Sequence, residues 1–188
     1  MKTPAQAIKT GIDNYYKTYE DAVAKLWEHE KVIAGLPIVH WFIAQTVQES
    51  RFDSLAVSPV GAKGIAQFMD ATAKEVEKEL NHLELFKNGF NRENDTQSIY
   101  AQVYYVNKLF KTWKWKRTGA SRMQLALASY NAGAGNILKA QKLSGEKKHW
   151  LEIKNHLIKV TGKNSKETIK YVSVITDFAV IIEDYKQD

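Results

Sequence analysis

The 188-residue sequence predicts an all-α single domain with irregular loops and at most a small β-hairpin. Three observations carry that reading. Apolar residues recur at three- and four-residue spacings along most of the chain, the period of helices with one buried face. Three prolines and ten glycines are too few to supply linkers between separate domains. With 44% hydrophobic and 26% charged residues, the chain has the composition of a packed globular protein.

The elements follow in order. Ile12, Tyr15, Tyr19, Ala22 and Leu26 mark the buried face of a long first helix, over about residues 8–30, packing on the rest of a domain that spans 1–188. Leu36-Pro37 opens a second helix, since proline is accepted in a first turn. From Ile38 to Val47 that helix is apolar nearly all round, so it runs through the core, and it turns polar at Gln45, Gln48, Glu49 and Ser50. Residues 51–69 lose the helical period, and Ser58-Pro59, Gly61 and Gly64 punctuate a loop able to hold a short hairpin. Asp70 reads as the N-cap of a helix through Thr72, Val76 and Leu80. Ile99, Val103, Val106, Phe110 and Trp113 stripe one side of another helix. Ser121 with Gln124 has the form of a capping box before Leu125, Leu127 and Tyr130, and Gly133 and Gly135 end that helix. Further helices are expected over Trp150–Val160 and from about Ser165 to Tyr185.

Composition then excludes several chemistries. No cysteine is present, which removes a disulfide scaffold, a cysteine-ligated zinc site and a cysteine nucleophile. There is no P-loop, no Gly-x-Ser-x-Gly elbow and no His-Glu-x-x-His. His29, His40, His82, His149 and His156 share no ligand spacing, so neither a metal nor another cofactor is expected. No apolar run is long enough to span a membrane, and no apolar stretch follows Met1-Lys2-Thr3-Pro4 as a leader would require. Twenty-seven basic against 21 acidic residues leave a net charge of +6 and a pI near 9.3, which suits an anionic partner: nucleic acid, lipid or an acidic wall polymer.

Glu49 is the candidate catalytic residue. An arbitrary glutamate at a helix end is simply solvated. This one ends the most apolar helix of the chain and precedes a loop of small and polar residues. A carboxyl held beside apolar surface resists ionisation, stays protonated near neutrality and can act as a general acid on a glycosidic bond.

The residues around it resemble a known family. Gln48-Glu49-Ser50-Arg51-Phe52-Asp53, the run Ala56-Val57-Ser58-Pro59-Val60-Gly61-Ala62-Lys63-Gly64-Ile65-Ala66-Gln67-Phe68-Met69, and Ala71-Thr72-Ala73 are similar to the core of the soluble lytic transglycosylases. Ala126-Leu127-Ala128-Ser129-Tyr130-Asn131-Ala132-Gly133 resembles the family's Ala-Tyr-Asn-Ala-Gly motif, and Glu167-Thr168 with Tyr171-Val172 its Glu-Thr-x-x-Tyr-Val motif. The likeness covers about residues 36–180 in the family's order.

The resemblance implies a lysozyme-like domain that binds peptidoglycan glycan strands in a groove, without nucleic acid or stable membrane insertion, as a monomer. It implies cleavage between N-acetylmuramic acid and N-acetylglucosamine with a 1,6-anhydromuramoyl product, and Glu49 as sole acid and base. Ser58, Gln67, Tyr130, Asn131 and Tyr171 match groove positions. Each also has a plain reading: loop hydrogen bonds for Ser58 and Gln67, a helix-end cap for Asn131, core packing for Tyr130 and Tyr171. Glu167 matches a family glutamate, yet with Asn164 it forms a ready capping box, the simpler reading. Ile65-Ala66, Asp70 and Ser129 depart from the usual Leu-Met, Pro and Ala.

Two other readings stand beside this one. A muramidase releasing reducing ends would need a second carboxylate such as Asp53 or Asp70 to hold a water. A basic nucleic-acid or anionic-surface binder would use the run Lys108 to Arg117, with Phe110, Trp113 and Trp115 between its cations. The simpler view of that run is a buried stripe with a solvated lysine side, and of Lys139, Lys142, Lys147 and Lys148 an ordinary basic surface. The resemblance implies an activity at the cell wall, on its periplasmic or extracellular side. A domain without a leader suits a phage lysis or virion enzyme, an endolysin released by other means, with a bacterial enzyme shorn of its leader as the competing origin.

Overall fold

A computed structural model describes residues 1–114 and 116–187. Helix α1 (Pro4–Thr10) begins at a capping box in which Thr3 accepts from the Gln6 amide and the Gln6 side chain accepts from the Thr3 amide. A π-helical turn, Gly11–Tyr15, leads into α2 (Tyr16–Leu26), so the first helical segment runs over 4–26 rather than 8–30. The wider turn falls where Gly11 presses on the core: a Cβ there would lie 2.6 Å from Ile43 and 2.8 Å from the Phe52 ring.

Two-residue strands β1 (Val32–Ile33) and β2 (Leu36–Pro37) pair antiparallel, placing the small hairpin before α3. Pro37 therefore precedes the helix instead of opening it. Helix α3 (Ile38–Glu49) is buried from Ile38 to Val47 and forms the axis of the domain. It packs along α10 (Ser165–Gln187), which lies beside it at the other end of the sequence. Near the start of α3, His40 links the two helices through Glu183 at 3.1 Å and meets Tyr16 at 3.1 Å.

Residues 51–69 hold isolated bridges, Val57 with Lys63 and Lys63 with Phe68, instead of a hairpin. Gly64 makes that loop possible. Its φ is +74° and a Cβ would sit 1.7 Å from the Arg92 carbonyl oxygen. Arg92 completes the clamp, its guanidinium donating to the Phe68 carbonyl at 2.9 Å.

Helix α4 (Asp70–Leu80) starts with Asp70 already inside it, where its charge favours the helix N-terminus and pairs with Lys74 at 2.8 Å; Asp70 is not the N-cap. Helix α5 (Asp95–Thr112) is capped by Asn94. In the basic–aromatic run, Phe110 and Trp113 are buried, Lys108 pairs with Glu75 and Glu79, and Lys111 pairs with Glu28. Trp115 lies outside the described residues.

Helix α6 (Gly119–Ala132) is capped by Thr118, not by Ser121, whose hydroxyl instead accepts the Trp150 amide at 3.0 Å. Gly133, at φ +83°, ends α6, but α7 (Ala134–Leu143) follows at once with Gly135 inside it. The region 150–161 is broken rather than continuous: α8 (Trp150–Ile153), a 3-10 turn and α9 (Ile158–Thr161). Neither Asn164 nor Glu167 accepts the other's backbone amide among the described residues, so no capping box opens α10, and both side chains are exposed.

Two apolar clusters result. The larger surrounds α3 and takes in Trp41, Phe42, Ile43, Phe110, Trp113 and Ile175, while the smaller joins Phe68, Val76, Leu80 and Phe86 under α4. Tyr130 touches both, which places it at the seam where the loop 51–69 meets the helical core.

Candidate active site

The site assembles at the C-terminal end of α3. The helix is apolar enough to cross the core, and its last residue emerges half-buried where the chain turns sharply: Arg51 and Phe52 take φ of +56° and +58°. Ser50 fixes the turn by donating to the Ile65 carbonyl at 2.8 Å, which ties the end of α3 to the loop carrying Gln67.

Glu49 receives one protein hydrogen bond among the described residues, from the Tyr171 hydroxyl to Oε1 at 2.5 Å. Burial pushes its carboxyl up from 4.5 to about 7, and the negative charge of Glu167 pushes the same way, while the Tyr171 hydrogen bond pulls down. Desolvation wins, and the group is poised to give and take a proton near neutrality. Tyr171 itself is 5% exposed, so it is a partner of the acid more than a wall of a groove. Burial and the facing carboxylate keep its phenol protonated, with a value raised well above 10.0.

Tyr130 lies close enough for the Glu49 charge to raise its phenol, after the larger effect of burial. Its hydroxyl donates to the Ala66 carbonyl at 2.7 Å, and its ring meets those of Phe68 and Tyr105. Gln67 stands in a left-handed conformation, φ +49°, and its amide donates to the Ala56 and Gly64 carbonyls at 3.1 and 2.8 Å. Tyr130, Gln67, Met69, Thr72 and Tyr105 line a small recess of about 50 Å³.

The remaining candidates sit differently. Ser58 is a loop residue whose hydroxyl accepts the Ala62 amide at 3.0 Å. Asn131 is within α6 rather than at a cap, and its side chain accepts from Thr168 at 2.7 Å, tying α6 to the start of α10. Glu167 is exposed and contributes charge, not a contact. Of the two carboxylates weighed for holding a water, Asp53 accepts its own loop's Leu55 amide at 3.1 Å and Asp70 is paired with Lys74 and Arg92. No group of three or more metal-ligating side chains lies together among the described residues.

Sequence reasoning missed the residues behind the acid. Gln45 is fully buried, not part of a polar helix end, and its amide donates to the Tyr171 hydroxyl at 3.0 Å. Behind it stand Gln102, Thr46 and Tyr19, all fully buried and joined to one another.

Fold and site together define a lysozyme-like, all-α domain organised around one carboxyl of raised proton affinity. The chain belongs to the transglycosylase SLT domain family, whose model matches residues 39–153. It is 31% identical over 136 residues to a membrane-bound lytic murein transglycosylase F of Histophilus somni, a match covering 70% of this chain and 26% of that protein. The fold is shared with the 70 kDa soluble lytic transglycosylase of Escherichia coli, at TM-score 0.69 and 18% identity over 93% of this chain and 25% of that one. It is also shared with the lytic transglycosylase Slt of Pseudomonas aeruginosa, at TM-score 0.64 and 24% identity over 93% of this chain and 24% of that one. The chain thus spans about a quarter of the length of the relatives it matches. No helix among the described residues is long and apolar enough to cross a membrane.

Proposed function

We propose that the protein is a peptidoglycan lytic transglycosylase in which Glu49 is first the general acid and then the base. The observation that carries this is the Glu49 carboxyl itself, half-buried at the end of the core helix, titrating at about 7 and held by Tyr171. In the first half-reaction Glu49 gives its proton to the glycosidic oxygen as the bond to C1 breaks. The substrate's acetamido group stabilises the positive centre. In the second half, the Glu49 carboxylate takes the proton of the muramoyl 6-hydroxyl while that oxygen bonds to C1. The nucleophile belongs to the same sugar, so it arrives already positioned and no second carboxylate is required. The engagement of Asp53 and Asp70 elsewhere supports this over a water-activating hydrolase. The names of the relatives agree, and the Pseudomonas structure is that of an inactive mutant in which a glutamate is replaced by glutamine.

Tyr130 and Gln67 are the favoured sugar contacts, as they share a small recess and Tyr130 lies within reach of the Glu49 charge. The charge distribution supports an acidic polymer as substrate. Residues 138–170 hold nine lysines against three glutamates, the whole net charge of +6, and the remaining residues balance. Three of those lysines, Lys139, Lys142 and Lys159, surround a recess of about 550 Å³ with Leu143 and Val160. Such a concentration of positive charge in one segment raises the local concentration of an anionic wall. The test is turbidity loss of purified cell walls: the wild type clears the suspension, and folded Glu49→Gln does not. Equal clearing by both proteins would remove Glu49 from the chemistry.

A further inference from the structure

Behind the acid, five buried side chains form a hydrogen-bonded line with a single direction. The hydroxyls of Tyr19 and Thr46 lie 2.7 Å from each other and 2.9 and 3.1 Å from Gln102 Oε1; each has one proton, so one hydroxyl donates to the other and the second donates to Gln102 Oε1. Gln102 Nε2 donates to Gln45 Oε1 at 3.0 Å, Gln45 Nε2 donates to the Tyr171 hydroxyl at 3.0 Å, and Tyr171 donates to Glu49 Oε1 at 2.5 Å. The Phe42 carbonyl anchors the direction. A carbonyl only accepts, and it faces Gln102 Nε2 at 3.4 Å, so turning the Gln102 amide over would set two oxygens against each other. With Gln102 fixed, Gln45 must present its oxygen to Gln102 and its NH₂ to Tyr171. The Tyr171 oxygen, accepting from Gln45, has its proton left for Glu49.

We propose that Gln102 and Gln45 are positioning residues that make Tyr171 an obligatory donor to Glu49 Oε1 and so confine the acid's transferable proton to Oε2. The role rests on the acid–base reading of Glu49 given above and adds to it which oxygen does the work. Oε2 has no protein partner among the described residues, so it is the oxygen left to meet substrate. In a two-step reaction the same oxygen must release a proton and then collect one. A chain that cannot reverse prevents the proton from settling on Oε1 between the steps, where it would be shared with Tyr171 and lost to the sugar. The line is costly to bury unless every member is paired, and all five are. Its members come from α2, α3, α5 and α10, so it also ties the acid's orientation to the packing of four helices.

The titratable groups facing Glu49 are Tyr171 and Glu167 on α10 and Tyr130 on α6. Neither glutamine carries charge, so exchanging one for an apolar side chain of similar size alters only the hydrogen bonding that reaches the carboxyl. In Gln45→Met, Tyr171 donates more weakly and gains a free lone pair with which to accept from a protonated Glu49. Both changes favour the protonated acid. Gln102→Met leaves Tyr19 and Thr46 bonded to each other at 2.7 Å and removes the restraint on Gln45, so it shifts the acid in the same direction by less.

The experiment is a carbon-13 titration of the Glu49 carboxyl in the intact chain without substrate, its signal assigned by loss in Glu49→Gln. Expected are upward displacements of about 0.5–1 pH unit in Gln45→Met and a smaller one in Gln102→Met. In a Tyr171→Phe background, both substitutions should add nothing, because the line is already cut. Melting curves and proton–nitrogen spectra check that each variant is folded, and Gln102→Met, which leaves α3 intact, carries the test if Gln45→Met does not fold. Wild-type titration in the folded glutamine variants, or equal displacement with and without Tyr171, overturns the proposal. Because the readout needs no substrate, a failure of the transglycosylase reading would show as absent lysis with the titrations unchanged.

Discussion

Replacing Glu49 by glutamine should make the protein more stable, and only above the pH at which the unfolded carboxyl ionises. The reasoning starts from the rise of the folded carboxyl from 4.5 to about 7. An acid that holds its proton more tightly folded than unfolded weakens the fold as pH climbs between those values. The unfolded chain releases its proton first, and the loss is complete above the folded value. A rise of that size corresponds to about 3 kcal/mol at full ionisation. The side chain is only half-buried, so solvent screening brings the expected gain in Glu49→Gln to about 1–2 kcal/mol. Glutamine keeps an oxygen for Tyr171, so the hydrogen bond is not the variable. At this chain length the gain corresponds to a melting temperature about 3–6 °C higher. Calorimetry of both proteins at pH 4 and pH 8 decides it. The gap should be near zero at pH 4 and open by pH 8. A gap of the same size at both would refute the idea that the acid is strained by desolvation.

Other substitutions test the scaffold and the substrate surface. Gly64→Ala should cost at least about 2 kcal/mol, because the Cβ meets the Arg92 carbonyl and the positive φ adds strain; unfolding in urea measures it, and an unchanged midpoint would contradict the close approach. Tyr130→Phe should leave the buried Ala66 carbonyl without its donor, costing about 1–3 kcal/mol in thermal melts and weakening glycan binding as well. Lytic rates should fall as salt rises, and exchanging Lys139, Lys142 and Lys159 for glutamine should flatten that dependence. A steep, unchanged salt slope in the triple variant would place the attraction elsewhere.

The reach of the sequence differs from residue to residue. Helix α3 was legible because an apolar run that long has nowhere to go but the core, and Glu49 was legible because the run ends on it. The first helix was visible from its stripe, but its start was set by the Thr3 capping box and its end by the turn of Trp27 into extended backbone, which the stripe does not encode. Helix α7 was hidden by Gly135, read as a breaker although Ile137, Ala140 and Gln141 lie on a helical face. Ser121 looked like a cap because its spacing to Gln124 fits one; a distant amide, that of Trp150, claimed its hydroxyl. The same limit explains Gln45. A glutamine on a helix gives no periodic sign of burial, and its partners Gln102 and Tyr171 lie 57 and 126 residues away. Tyr171 was placed in the groove from its motif, and only the packing of α10 on α3 turns its hydroxyl onto the acid.

Mass spectrometry of the products bears most directly on the chemistry assigned to Glu49. Purified peptidoglycan digested in isotope-labelled water should yield muropeptides ending in 1,6-anhydromuramic acid, each lighter by one water than a reducing-end product and free of the label. Labelled reducing ends would show that water, not the sugar's own hydroxyl, attacks C1, and that the protein is a hydrolase.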